Sequence, residues 1–293
     1  MRVRNQILVS IVVLAMTSCA GASLKPTSEL LNVKLRRFEV MSASFDAMQT
    51  EVIIEVKSSA AKAFNASEGQ IEVEILGHAV IDDEGTHIDS SDSDTSFTGR
   101  VFKGTLAGAT SVAAQEKTLL HFPVTLEFPD DATELERVIN WERALLGAKG
   151  TVKINGQEFS FGGQRELGLP VLPEVVAHNP QVASTDGGKN GVAFFQVVIR
   201  NPNTFVLNVD KFSWGASLAG KELREVGVGG PEEIPPSSDL ELDDEIQLTT
   251  ESFGPNLRKV LRQHLIPYRV KGFWNIKGIH REFDHEGELE FAR

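Results

Sequence analysis

The densest run of potential metal ligands is Asp82 to Asp94, which reads D-D-E-G-T-H-I-D-S-S-D-S-D. Calcium takes several oxygen ligands, and this run offers them in number. Their spacing does not suit an EF-hand loop. With Asp89 in the first position, the sixth residue is Asp94 rather than glycine and the twelfth is Arg100 rather than glutamate. A solvated hairpin loop is the simpler reading. A second set, His280, Glu282 and Asp284, falls on alternate positions and therefore on one face of a strand, whereas His285 falls on the other face. Six polar residues alternate from His280 to Glu290, a pattern that reads most simply as the wet side of a sheet. His78, His87, His121, His178 and His264 stand without ligand spacing. No metal and no cofactor is expected.

Nucleophile chemistry leaves as little trace. There is no G-x-S-x-G, no H-E-x-x-H and no phosphate-cradling glycine loop. Gly227 to Gly230 precedes Pro231 without a Lys-Ser/Thr pair and is expected to be a loop. Triads can assemble from distant residues, but nothing here argues positively for an enzyme, and none is expected. The aromatic residues offer binding instead. Phe194 and Phe195 are neighbours in an apolar run, so in a strand one ring enters the core and the other is free to form a binding patch or an inter-domain contact. Phe273, beside Trp274, poses the same choice.

The remaining reactive group is Cys19, the one cysteine of the chain. Arg2 and Arg4, then the apolar stretch Ile7 to Ala15, read as a signal peptide too short to span a bilayer. Met16-Thr17-Ser18-Cys19 follows at once and resembles a bacterial lipobox. That resemblance implies cleavage before Cys19 and its acylation, and it accounts for a thiol that can have no internal disulfide partner. An ordinary signal peptide that happens to contain a cysteine is the alternative. Removing residues 1–18 takes away two arginines and no acid, so the formal charge moves from −12 to −14. Such an acid excess argues against nucleic acid, and against a bare anionic membrane surface, as partners. Residues 19–29 are small and polar and suit a flexible tether. Ala20 after the cysteine points to the outer membrane, facing the periplasm.

The elements that position these residues are strands, and they occur in the same order twice. Val33 to Val40 opens the first unit. Glu51 to Lys57 alternates, with Val52, Ile54 and Val56 inward and Glu51, Glu55 and Lys57 outward; Ile71, Val73 and Ile75 form the next face. After a polar insertion at His78 to Gly99, Leu120, Phe122, Val124, Leu126 and Phe128 share one side of an edge strand that contains Pro123. Asp131 to Glu134 reads as a capping box for a helix with Leu135, Val138, Ile139, Leu145 and Leu146 on its apolar face, stopped by Gly147. A hairpin turning at Asn155-Gly156 closes the unit.

The second unit begins near Leu169-Pro170. An opening segment lies near Val175, a strand begins at Val192, and Phe212 to Leu218 alternates. Leu240, Leu242, Ile246 and Leu248 follow, with Asp244 expected to mark a bulge. A helix from about Pro255 to Leu265 and a hairpin turning near Lys277-Gly278 complete the unit.

At the centre of that unit V-A-F-F-Q-V-V-I-R is cut by Asn201-Pro202-Asn203 and resumes as T-F-V-L-N-V-D. This pattern resembles the water-stress and hypersensitive-response domain of type-2 late embryogenesis abundant proteins. The resemblance implies a structural role for Asn201, Pro202 and Asn203, and a link to desiccation or stress tolerance. The expected fold is mainly β: two tandem immunoglobulin/fibronectin-III-like β-sandwich domains, each with one short helix before its last hairpin, over 30–168 and 169–293. The expected function is a non-enzymatic, membrane-tethered binding or stress-protective module of the bacterial cell envelope, held to the membrane through a lipid anchor. The alternative is a structural subunit of an envelope assembly with a protein partner.

Overall fold

A computed structural model describes residues 27–82, 85–88, 96–187, 189–228 and 232–290. The protein is mainly β, built from several antiparallel sheets that pack in a sandwich-like way. A turn of helix, α1 (Thr27–Leu30), leads into β1 (Leu31–Ala43), β2 (Ala47–Ser58), β3 (Phe64–Asp82), β4 (Gly85–Ile88), β5 (Val101–Thr105), β6 (Thr110–Val112) and β7 (Lys117–Glu127). Then come α2 (Ala132–Ile139), β8 (Arg143–Ile154) and β9 (Gln157–Gly168). After a short connection follow β10 (Glu174–Ala177), β11 (Gln181–Thr185), β12 (Asn190–Arg200), β13 (Leu207–Val209), β14 (Lys211–Leu218), β15 (Lys221–Val228), β16 (Glu232–Ile234) and β17 (Asp239–Leu248). Two short helices, α3 (Thr250–Phe253) and α4 (Leu257–Val260), precede β18 (Leu265–Ile276) and β19 (Ile279–Glu290).

Strand pairing repeats along the chain. Residues 31–168 form a sheet β1-β2-β7 and a sheet β3-β8-β9 to which β5 adds on β3. Residues 174–290 form β12 between β10 and β17, and a sheet β15-β14-β18-β19. Among the described residues, no strand of one set pairs with a strand of the other.

The closing hairpins show how deep the repetition goes. Gly150 of β8 lies opposite Phe161 of β9, and Gly272 of β18 opposite Phe283 of β19. In each place a Cβ on the glycine would come within 2.7 Å of the facing phenylalanine ring and would run into the backbone oxygen of the strand on the other side, Gln70 or Ser213. Each phenylalanine lies across its glycine and packs on a second ring, Phe122 at 5.6 Å or Phe212 at 5.8 Å. Residues 150–161 and 272–283 share the pattern G-x3-I-x-G-x4-F. Ile154 and Ile276 are both buried, and Asn155-Gly156 and Lys277-Gly278 turn with positive φ at both residues.

Several elements depart from the alternation in the sequence. α2 stops at Ile139, so Leu145 and Leu146 belong to β8 and not to its apolar face. The Asp131 carboxylate accepts from the amides of Thr133 and Glu134, both at 3.0 Å. Glu134, however, reaches Ser96 instead of returning to the cap. Glu142, at φ 56°, then reverses the chain into the strand. Of the helix expected from Pro255 to Leu265 only the single turn α4 forms, and β18 already begins at Leu265; a second turn, α3, lies before α4 and ends at Gly254, at φ 105°. No bulge forms at Asp244, for β12 and β17 stay in register from Gly191 to Arg200. His78 to Asp82 extends β3, with Ala79 to Asp82 paired to β4, where a polar insertion was expected; residues 83–84 and 89–94 of the acidic run lie outside the described residues. Gly227 belongs to β15, not to a loop, whereas residues 229–231 lie outside the described residues.

Glu55 is the largest departure. Alternation places it on the solvated face of β2, yet its side chain is only 5% exposed. Arg36, the extra residue where β1 bulges between Leu35 and Arg37, reaches it at 2.9 Å, with Lys34 at 3.4 Å and Lys117 at 3.6 Å. Burial pushes the Glu55 carboxyl up, but Lys117, Lys34 and Arg36 outweigh it and hold the group below the usual carboxylate range. A depressed folded-state pKa contributes stability at neutral pH that disappears as pH falls through it. The stability gap between the native chain and Glu55→Gln is therefore expected to be widest near pH 7 and to close below about pH 4. Urea midpoints across that range check this. A gap that does not change with pH would mean that the carboxylate charge is not what Gln lacks.

Candidate functional site

The strongest candidate is the outward face of the sheet β15-β14-β18-β19. On β14 the outward positions carry Ser213, Gly215 and Ser217, a floor of small side chains. Arg269, Lys271 and Phe273 of β18 stand beside it, followed by Glu282, Asp284 and Glu286 of β19, while Glu222 of β15 stands opposite. They line an open groove of about 1200 Å³.

Its charges are paired across the strands. The Arg269 Nε donates to Asp284 Oδ1 at 2.8 Å and lies 3.1 Å from Glu286; Lys271 lies 3.1 Å from Glu222. The hydrogen bond from Arg269 holds the Asp284 carboxyl below its ordinary range, and the same bond raises the guanidinium. Each of these pairs is exposed and worth little to stability, so a ligand can exchange with them at low cost.

No metal set forms here. His280 Nδ1 donates to Asn275 Oδ1 at 2.6 Å and its ring lies tilted against Phe273 at 5.1 Å, while Asp284 is engaged by Arg269. Among the described residues no cluster of three or more potential ligands can hold a metal ion. Nor does a histidine line the groove beside its serines. What the arrangement can do is hold an elongated polar ligand by charged hydrogen bonds along one sheet face.

The three phenylalanines do not form one patch. Phe195 is fully buried and packs 6.5 Å from Trp214. Phe194, 36% exposed, lies on the outer side of β12 opposite Glu245 of β17. Phe273 lies in the groove, on a different sheet, with the Lys211 ammonium 5.2 Å from its ring. Sequence reasoning passed over a polar group at the groove's end. Tyr268, the one tyrosine, donates to Asn179 Oδ1 at 2.6 Å and has His285 Nε2 at 3.2 Å; burial raises its pKa. Its solitary occurrence was the available signal. Cys19 lies outside the described residues.

Asn201 and Asn203 are buried and saturated. The Asn201 amide nitrogen reaches the carbonyls of Phe205 at 2.8 Å and of Ile234 and Pro235 at 3.0 Å. Its oxygen accepts from the backbone and side-chain nitrogens of Asn203 at 3.0 and 3.1 Å. Asn203 then behaves like a strand residue presented sideways. Its Oδ1 accepts from the Val171 amide at 2.8 Å and its Nδ2 donates to the Val171 carbonyl at 2.7 Å. The connection between β9 and β10 is thereby fastened to the end of β12. Pro202 points to solvent.

No protein-family model matches the sequence, and no curated protein matches it. Solved structures similar to the chain include red sea bream transglutaminase, at 11% identity and a TM-score of 0.29 over 87% of this chain and 30% of the transglutaminase. The chain thus spans less than a third of that enzyme's length. An Arabidopsis thaliana protein solved in solution is similar at 15% identity and a TM-score of 0.32, over 42% of this chain and 85% of its own. A protein from Archaeoglobus fulgidus is similar at 17% identity and a TM-score of 0.26, over 41% of this chain and 97% of its own. Likenesses this distant assign neither an activity nor a family.

Replacing Asn203 by Ala strands both polar groups of Val171 and one lone-pair site on Asn201. The expected loss is about 3 kcal/mol in urea unfolding. Pro202→Ala, at an exposed position, is expected to cost under about 1 kcal/mol. Equal losses would place the importance of the motif in the proline backbone and not in the two amides.

Proposed function

We propose that this protein is a non-enzymatic, lipid-anchored binding module of the bacterial cell envelope, with a protective role under drying. The groove on β14, β18 and β19 carries the reading. It gathers ion-paired side chains and the Phe273 ring around a floor of small residues, with its charges spread along the sheet face and not converged on one point. Such a surface suits holding better than transforming. The anchor is Cys19, the tether residues 19–29, and the body two tandem immunoglobulin/fibronectin-III-like sandwiches over 30–168 and 169–293. The repeated pairing order and the repeated G-x3-I-x-G-x4-F hairpin support that division. The Asn201 and Asn203 network supports the resemblance of the second unit to the water-stress domain by giving its motif a structural task. No helix among the described residues is long and apolar enough to cross a membrane. Attachment through a lipid at the outer membrane, facing the periplasm, is the form the proposal takes.

A second reading, a structural subunit of an envelope assembly, is favoured by β17. This strand pairs only with β12 among the described residues and carries Asp239, Glu241, Asp243, Asp244 and Glu245. An edge so charged resists pairing with its own copies but leaves backbone groups open to a different partner.

Three measurements on the native host separate these. Labelled palmitate is expected to enter the native chain and not Cys19→Ser; no label in either removes the anchor. Ser217→Trp, which fills the groove from an outward position, is expected to abolish protection during drying while the unfolding midpoint stays within about 0.5 kcal/mol of native. Full protection by that variant, together with one crosslinked partner at fixed stoichiometry, would transfer the function to the assembly reading.

A further inference from the structure

The outer face of the sheet β1-β2-β7 reverses the charge of the chain. Its rows can be read across the three strands: Asn32, Lys57 and Lys117, then Lys34, Glu55 and Leu119, then Arg37, Ile53 and His121. Arg36, bulged out of β1, joins the second row through Glu55. Arg165 of β9 adds a fifth cation by donating to the Arg36 carbonyl at 3.2 Å. Lys34, Arg36, Lys57, Lys117 and Arg165 are all exposed, while the one carboxylate among them, Glu55, is buried beneath three of them. Exposed acids at this end are Glu29, before β1, and Glu116, before β7. Counting both still leaves an excess of two positive charges. Farther along the sheet Glu39 pairs with Arg37 at 2.9 Å, and Glu51 lies 2.7 Å from His121 Nδ1, outside the basic rows.

We infer that this face docks on phosphate headgroups of an anionic membrane. Position selects this occupant. The cations cluster where β1 begins, and Leu30 is tied there by its carbonyl to the Ser59 amide at 2.9 Å. The chain therefore enters the fold beside the basic rows. If Cys19 is acylated, as proposed above, the eight residues from Cys19 to the start of α1 reach at most about 29 Å and hold these cations near the lipid at high effective concentration. The formal charge of −14 from Cys19 onward does not prevent this. At physiological salt, charges more than about 8 Å from the lipid surface are largely screened, so the facing patch decides the contact. Glu55 contributes by drawing three long side chains together from beneath, which leaves their outer sides turned to one plane.

The test omits the anchor, so that its failure is distinct from failure of acylation. The chain from residue 19 onward with Cys19→Ser retains every described element. It is sedimented with vesicles of phosphatidylcholine alone, or with 30% phosphatidylglycerol. Binding is expected only to the anionic vesicles and is expected to be lost in 0.5 M NaCl. Lys57→Ser with Lys117→Ser, which leaves the Lys34 and Arg36 contacts to Glu55 in place, is expected to weaken binding about 25-fold, at roughly fivefold per charge. Arg258→Ser with Lys259→Ser, two exposed cations of α4, is expected to leave it unchanged. Binding to neither vesicle, equal binding to both, or equal weakening by the two double variants would overturn the inference.

Discussion

Each closing hairpin is held at a point where only glycine fits. At Gly150 and Gly272 three strands come so close that a methyl group would strike a neighbouring carbonyl and the face of a phenylalanine at once. The ring fills the space a side chain would have taken, so the glycine costs the sheet less than an unfilled one would. The consequence spreads in both directions. The same phenylalanines pack on Phe122 and Phe212, inward-facing residues of β7 and β14, and so help join the hairpin to the sandwich interior. The left-handed turns that begin five residues beyond each glycine fix the register that brings glycine and phenylalanine opposite one another. If either glycine became alanine, the hairpin would have to part from its neighbour or expel the ring.

The two turns are used differently. Gly156 has nothing near it, but Gly278 lies against Ala132 of α2, where a Cβ would come within 3.2 Å. Lys277 beside it pairs with Asp46, and Arg281 reaches Glu136 of α2 at 2.6 Å. Phe45 and Phe205 meet edge to face at 5.6 Å in the same region. The connection itself is fastened by Asn203 to Val171. Buried amides are a more directional means of joining than exposed ion pairs, because each requires two partners at set angles and loses the full desolvation cost when either is missing. The groove lies on the outer face of the sheet whose hairpin turn makes these contacts, so events at the groove and at the junction share β18 and β19.

Much of this architecture was legible in the alternation. Val52, Ile54 and Val56, or Leu120 to Phe128, declare their buried side without ambiguity, and Asn155-Gly156 declares its turn. The failures have physical causes. Leu145 and Leu146 continue a helical spacing by accident, and what ends the helix is a left-handed glutamate that no propensity favours. β4, β5, β6, β11, β15 and β16 are short or polar, and they form because a neighbouring strand offers hydrogen bonds. The sequence repeat between 150–161 and 272–283 was visible, yet it means little until the two glycines are seen to occupy the same crowded place. The groove was harder still. Phe273 and the alternating acids of β19 could be read as a wet face, but nothing in the sequence placed Ser213, Ser217 and Glu222 across from them.

Net charge, like alternation, averages over positions. An acid excess argues against anionic partners only if the charge is spread evenly, and here it is not. β17 alone carries five acids, and β19 carries four among its described side chains. Four exposed cations instead collect on the sheet β1-β2-β7 in the other half of the chain, joined there by Arg165 of β9. The asymmetry begins with a local defect. One extra residue in β1, Arg36, bulges out and meets a buried glutamate that a regular strand would have left to Lys34 and Lys117. A buried carboxylate is costly when poorly paired, and with three cations it is held ionised. The bulge therefore makes Glu55 tolerable and the face above it basic. Neither property belongs to any residue taken singly, which is why composition could not report it.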